Sequence, residues 1–159
     1  IELLYLTGMR RAELIGLKDS DIDKDSKTLR VEGKRKKERL IPLSDNSYEK
    51  LEQYIQIRNR EIENKSPFLF VKNNGDPIYP KMIYNIVNKH LEAISTVAKK
   101  SPHTLRHSFA TEMLNNGAEI NAVKEILGHS SLASTEIYTH VTFEELKRVY
   151  QNAHPRANK

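Results

Sequence analysis

The sequence predicts a mostly α-helical fold with one small antiparallel β-hairpin sheet. Apolar residues recur three and four apart through most of the chain, as on helices with one buried face. Residues 28–32 and 39–43 instead alternate, and a polar tip separates them. Serine, proline and glycine punctuate the helical stretches where helices begin and end.

Ile1 to Leu6 reads as the end of a helix interrupted at Thr7-Gly8, and Met9 to Leu17 as a second, short one. Within it Arg10 and Glu13 stand three apart, so a carboxylate can hold a guanidinium; taken alone, the pair reads as an exposed ion pair of little worth. Asp19 to Lys27 is a polar loop. Thr28–Glu32 and Arg39–Leu43 form the hairpin, whose tip G-K-R-K-K-E carries three lysines and an arginine. Ser44 or Asp45 caps a long helix to about Ile62. Phe68–Val71 reads as a short apolar strand closed by Asn-Asn-Gly-Asp-Pro. A helix from about Pro80 to Ala98 buries Met82, Ile83, Ile86, Val87, Leu91 and Ile94. Ser101 caps helix 102–115, which stops at Asn116-Gly117, and Ile120–Leu127 ends at Gly128. Ser131 or Ser134 opens a short helix carrying Tyr138. Thr142 to Glu145 is a capping box opening a last helix to about Asn152, with a polar tail over 153–159.

The chain of 159 residues has a net charge of +5, which favours an anionic partner without identifying it. It has no cysteine, which excludes disulfide scaffolds, thiolate metal sites and cysteine nucleophiles. No apolar run approaches the roughly 20 residues of a membrane span. The sequence starts at Ile1, inside a helical stretch, and reads as a fragment lacking an upstream part.

The chemistry gathers between Ser101 and Val141. His103 and Arg106 project together from the first turn of a helix, beside free N–H groups and the positive end of its dipole. A phosphate fits there, with a planar fork of donors from Arg106. His129 follows the helix-ending Gly128, and Tyr138 is a candidate covalent nucleophile. The alternative for Tyr138 is a ring packed in a short amphipathic helix, and Tyr150 is a fallback nucleophile that itself reads as core. His103 and His107 are four apart, as in zinc hydrolases, but no acidic residue lies between them, so no metal site is expected. At the hairpin tip, a lysine can enter a nucleic-acid groove or protonate a departing alkoxide, and position alone does not choose among Lys34, Lys36 and Lys37.

Taken together, T-G-M-R-R-A-E-L (7–14), G-K-R-K-K-E-R (33–39), H-T-L-R-H (103–107), L-G-H (127–129) and I-Y-T-H (137–140) resemble the tyrosine recombinases, or integrase family, most of all the bacterial Xer-type and transposon-type members. The resemblance implies the DNA breaking-rejoining catalytic-domain fold over residues 1–152, with an upstream DNA-clamping domain absent. It implies that Arg10 and Arg106 clamp the scissile phosphate, with Glu13 supporting Arg10 and with His103 and His129 as further donors. Lys34 is then the acid for the leaving 5′-oxygen, and Tyr138 the nucleophile that becomes a 3′-phosphotyrosine. Arg35, Lys36, Lys37 and Arg39 of the hairpin are expected to contact DNA. The implied reaction is site-specific recombination of double-stranded DNA without metal, ATP or other cofactor. It takes place in a homo-tetramer on paired sites, or with a related recombinase as partner, in the bacterial cytoplasm at the nucleoid. The alternatives are a type IB topoisomerase acting as a monomer and a DNA-binding module without catalysis.

Overall fold

The computed structural model describes residues 1–33, 36–63, 66–94, 100–128 and 143–156. Two short helices, α1 (Glu2–Thr7) and α2 (Arg11–Gly16), meet at Gly8, which adopts the left-handed conformation with φ 59°. A Cβ there would stand 2.6 Å from the Phe109 ring and 2.7 Å from Leu127, so only glycine lets this turn press so closely on the helices behind it.

The sheet has three antiparallel strands in the order β1 (Ile22–Asp23), β2 (Thr28–Glu32) and β3 (Glu38–Pro42). The stretch expected to be a polar loop thus holds a 3₁₀ turn, Asp19–Asp21, and a two-residue edge strand paired to Leu29 and Thr28. Two residues with one apolar side chain between them are too short to show alternation, so local pattern gave no sign of β1. In the main hairpin Leu29 faces Ile41 and Val31 faces Arg39. Side chains alternate between faces, so Leu29, Val31, Arg39 and Ile41 share the core side, while Leu40 stays exposed.

Helix α3 (Asp45–Glu61) is capped by the Ser44 hydroxyl, which accepts from the Ser47 N–H. Its Arg58 is buried and donates to Asp19 and to the carbonyls of Phe68 and Leu69. The expected strand at Phe68–Val71 is therefore an extended segment with isolated bridges to Lys18 and Pro77. A guanidinium takes two of the carbonyls that a neighbouring strand would otherwise pair.

Helix α4 (Pro80–Ile94) packs Ile83 and Val87 into the first core, which covers the sheet, α1, α2 and α3. Helix α5 (Pro102–Asn115) follows Ser101 and Pro102 as the sequence indicated, with the Ser101 hydroxyl accepting from Thr104 N–H. It gives Leu105 to the first core and Phe109 and Met113 to a second, which it builds with α6 (Ile120–Leu127) and α7 (Phe143–Ala153). Arg106 stands on α5 between the two. No helix among the described residues is long and apolar enough to cross a membrane.

Candidate active site

The C-terminal end of α6 organises the site. A helix leaves its last carbonyls without intrahelical partners, and they form the negative end of its dipole. Here successive carbonyls each receive an arginine from a different part of the chain. Arg39 Nε donates to Ile126 O at 2.7 Å, Arg106 Nη2 to Leu127 O at 2.8 Å and Arg10 Nη2 to Gly128 O at 3.2 Å. Arg106 also donates to the Gly8 carbonyl at 2.6 Å, so the turn that needs a glycine is itself part of the support.

One carboxylate holds the group together. Glu13 accepts from the Arg10 backbone N–H at 2.7 Å and from Arg10 Nη1 at 2.7 Å. It also accepts a two-pronged bond from Arg39, at 3.1 and 2.8 Å. The Glu13 side chain is only 4% exposed, so the pair with Arg10 is not the exposed ion pair that spacing alone suggests. Burial pushes its carboxyl up, but the bonds from Arg39 and Arg10 outweigh that and hold it below the usual carboxylate range. Arg106 moves the other way. Burial first, and then the neighbouring Arg10, bring its guanidinium down to about 10, with Glu13 opposing and Arg39 adding to the fall. It remains a cation at neutral pH, and its charged neighbours among the described residues are two arginines and one carboxylate. An incoming anion relieves that imbalance.

The open side is a cleft lined by Met9, Arg10, Arg11, Tyr84, His103 and Arg106, among others. Arg10 and Arg106, nearly a hundred positions apart in sequence, thus meet there with His103, which is exposed on the first turn of α5. Arg11 also lines the cleft and donates to the Pro80 carbonyl at 3.4 Å, whereas Arg10 engages Glu13 and the Gly128 carbonyl. Lys36 and Lys37 are exposed at the hairpin tip, closed by Gly33 N–H bonding to Lys37 O at 2.8 Å. Lys34, Arg35, His129 and Tyr138 lie outside the described residues, as do the expected helix start at Ser131 or Ser134 and the cap at Thr142.

Arg39 needs correcting. Expected among the DNA-contacting residues of the hairpin, its side chain is 7% exposed and turned inward to Glu13 and Ile126. Strand parity is the reason: Ile41 faces the core, so Arg39 does too. That signal was available in the sequence. Tyr84 in the cleft wall and the four supporting carbonyls were missed; the carbonyls carry no side-chain signature at all.

Residues 1–145 match the phage integrase family. The chain belongs to this family. It is 44% identical to tyrosine recombinase XerC of Chlorobaculum parvum over 99% of its own length and 48% of that protein's. It is 42% identical to XerC of Staphylococcus saprophyticus over 100% and 54%, respectively. The chain therefore spans about half the length of the curated relatives it matches. Among solved structures it resembles XerA recombinase, with TM-score 0.73 and 33% identity, covering 97% of this chain and 56% of that one. It also resembles XerH site-specific recombinase bound to difH substrate in a pre-cleavage complex, with TM-score 0.73 and 27% identity, covering 94% and 40%. The mostly helical fold with its small antiparallel sheet is thus that of tyrosine recombinase catalytic domains.

Proposed function

We propose that residues 1–152 form the catalytic domain of a site-specific recombinase that cuts and rejoins double-stranded DNA through a 3′-phosphotyrosyl intermediate. The observation that carries this reading is the meeting of Arg10 and Arg106 at one cleft with His103, where three arginines stand about one carboxylate among the described residues.

The chemistry follows from that charge. The transition state of phosphodiester transfer spreads negative charge over the equatorial oxygens, and fixed guanidinium forks aimed there stabilise it without a metal. Arg10 and Arg106 bind the two non-bridging oxygens, with His103 as a further donor and Glu13 holding Arg10 in place. By the family resemblance, the Tyr138 oxygen forms the new bond to phosphorus, giving up its proton to water. The bond from phosphorus to the 5′-oxygen breaks, and Lys34 protonates that oxygen. His129 donates a hydrogen bond to the phosphate. The exposed Lys36 and Lys37, with Arg35, meet the DNA backbone. A 5′-hydroxyl from a second duplex reverses the step, so one phosphate ester replaces another and no ATP is consumed. Exchange between duplexes uses four copies on paired sites, or copies of this chain with a related recombinase, at the nucleoid.

The test is covalent capture. The complete protein is incubated with sheared genomic DNA of its host, and protein–DNA adducts are collected under denaturing conditions. Adducts are expected from the unsubstituted protein and none from Tyr138→Phe, with DNA retention in native gels unchanged. An adduct that survives Tyr138→Phe excludes this nucleophile. Relaxation of plasmids lacking any captured site would favour a topoisomerase instead.

A further inference from the structure

Of the three arginines on the α6 carbonyls, Arg10 and Arg106 line the cleft and Arg39 does not. Arg39 directs its donors inward: Nε to Ile126 O, and both terminal nitrogens to the two oxygens of Glu13. Its side chain is 7% exposed, against 39% for Arg10. The backbone of Gly128 lies close against it, since a Cβ there would stand 3.1 to 3.3 Å from Arg39 Nη1, Cδ and Cζ. Among the described residues, Glu13 is the single carboxylate that both Arg39 and Arg10 engage, and the Gly128 carbonyl is the second anchor of Arg10. Arg39 therefore touches both supports of Arg10 without touching Arg10's open side.

We propose that Arg39 is a positioning residue for strand cleavage, tying Glu13 on α2 to the end of α6 so that the Arg10 guanidinium is aimed before DNA arrives. The inference rests on the catalytic reading of the cleft. It differs from a DNA contact, in which Arg39 would bind phosphate, and from a merely structural ion pair, whose loss would be independent of the charge at the scissile linkage. A planar fork is required, because one ammonium cannot span two carboxylate oxygens and the Ile126 carbonyl together. Preorganisation of this kind acts on the chemical step, where small misplacements of a charged group are costly.

The experiment measures the rate of adduct formation at saturating DNA, with a duplex recovered by covalent capture. The unsubstituted complete protein is compared with Arg39→Lys and Arg39→Gln. Both variants are expected to cut the rate by at least about tenfold. DNA affinity and its salt dependence are expected to stay unchanged, because no phosphate contact is lost. The defect is expected to shrink on a duplex with a methylphosphonate at the scissile position, which offers less charge for Arg10 to neutralise. Full rate in Arg39→Lys overturns the proposal. So does a weaker, less salt-dependent affinity, which marks a DNA contact, or an equal loss on both linkages, which marks a structural role. Arg39→Lys keeps the charge and most of the volume, and it decides the matter where Arg39→Gln does not fold. An unsubstituted protein that forms no adduct refutes the catalytic reading and this inference with it; adduct formation with an undiminished Arg39→Lys rate refutes this inference alone.

Discussion

Glu13→Gln tests whether one buried carboxylate holds the site together. Glu13 accepts four hydrogen bonds, two at each oxygen: Oε1 from Arg10 Nη1 and Arg39 Nη1, Oε2 from the Arg10 N–H and Arg39 Nη2. Glutamine keeps the shape but replaces one oxygen by an NH₂, so at either orientation two donors face a donor. The negative charge goes as well, leaving three guanidinium groups about the α6 terminus with no carboxylate bonded to them among the described residues. Removing one member of a buried ion pair costs about 3–5 kcal/mol. At about 2–4 °C per kcal/mol for a chain of this size, a loss of about 3 kcal/mol lowers Tm by about 6–12 °C. Thermal unfolding followed by circular dichroism measures this, with Asp76→Asn as the control. Asp76 pairs with Lys72 at 2.7 Å on the surface, where such pairs contribute less than about 1 kcal/mol. The effect also has a pH signature. The native carboxyl of Glu13 lies below its ordinary 4.5, so its contribution is complete above that value and is lost as pH falls through the native one. The gap between the two proteins should accordingly close in acid. A Glu13→Gln Tm no lower than that of the Asp76→Asn control refutes the reasoning.

Arg58→Met should lower stability by about 2 kcal/mol, since it leaves the Phe68 and Leu69 carbonyls without their donor while the half-exposed Asp19 stays hydrated, yet adduct formation well below Tm should be unchanged; denaturant titration and covalent capture read the two effects separately. Burial brings His154 down from 6.5 to about 4, so stability rises with pH across that interval as the unfolded chain releases its proton. His154→Phe should flatten this part of the stability–pH curve, and an unchanged slope would place the titration elsewhere. The Tyr150 hydroxyl is buried without a hydrogen-bond partner among the described residues. Tyr150→Phe should therefore leave Tm level or higher and adduct formation intact, and loss of adduct would make Tyr150 the nucleophile.

Local pattern carried the sequence reading wherever the structure is local. Ser101 and Pro102 fix the start of α5 because a cap is a matter of neighbouring residues, and Gly128 ends α6 because its φ of 65° suits glycine. Strand β1 escaped because two residues give no periodicity, and Phe68–Val71 read as a strand because its apolar pattern does not show that two of its carbonyls go to a side chain on α3. At the site, Arg10, His103 and Arg106 were legible as residue types at known spacings. Their grouping was expected only through the family resemblance, because no local pattern shows that Arg10 reaches a carbonyl 118 positions away or Arg39 one 87 positions away. The burial of Glu13 is equally a tertiary property, since a spacing of three cannot tell a wet pair from a dry one.

The arginines of this clamp rest on peptide oxygens of Gly8, Ile126, Leu127 and Gly128, and such atoms survive any change of side chain. Residues at 126 and 127 can drift, provided the helix still ends in the same place, while Gly8 and Gly128 are bound by their backbone shape. Selection or engineering can therefore remodel the neighbouring surface with the arginine cluster inherited intact. A lineage that keeps two glycines, three arginines and Glu13 keeps this cationic cluster in place while its surroundings change.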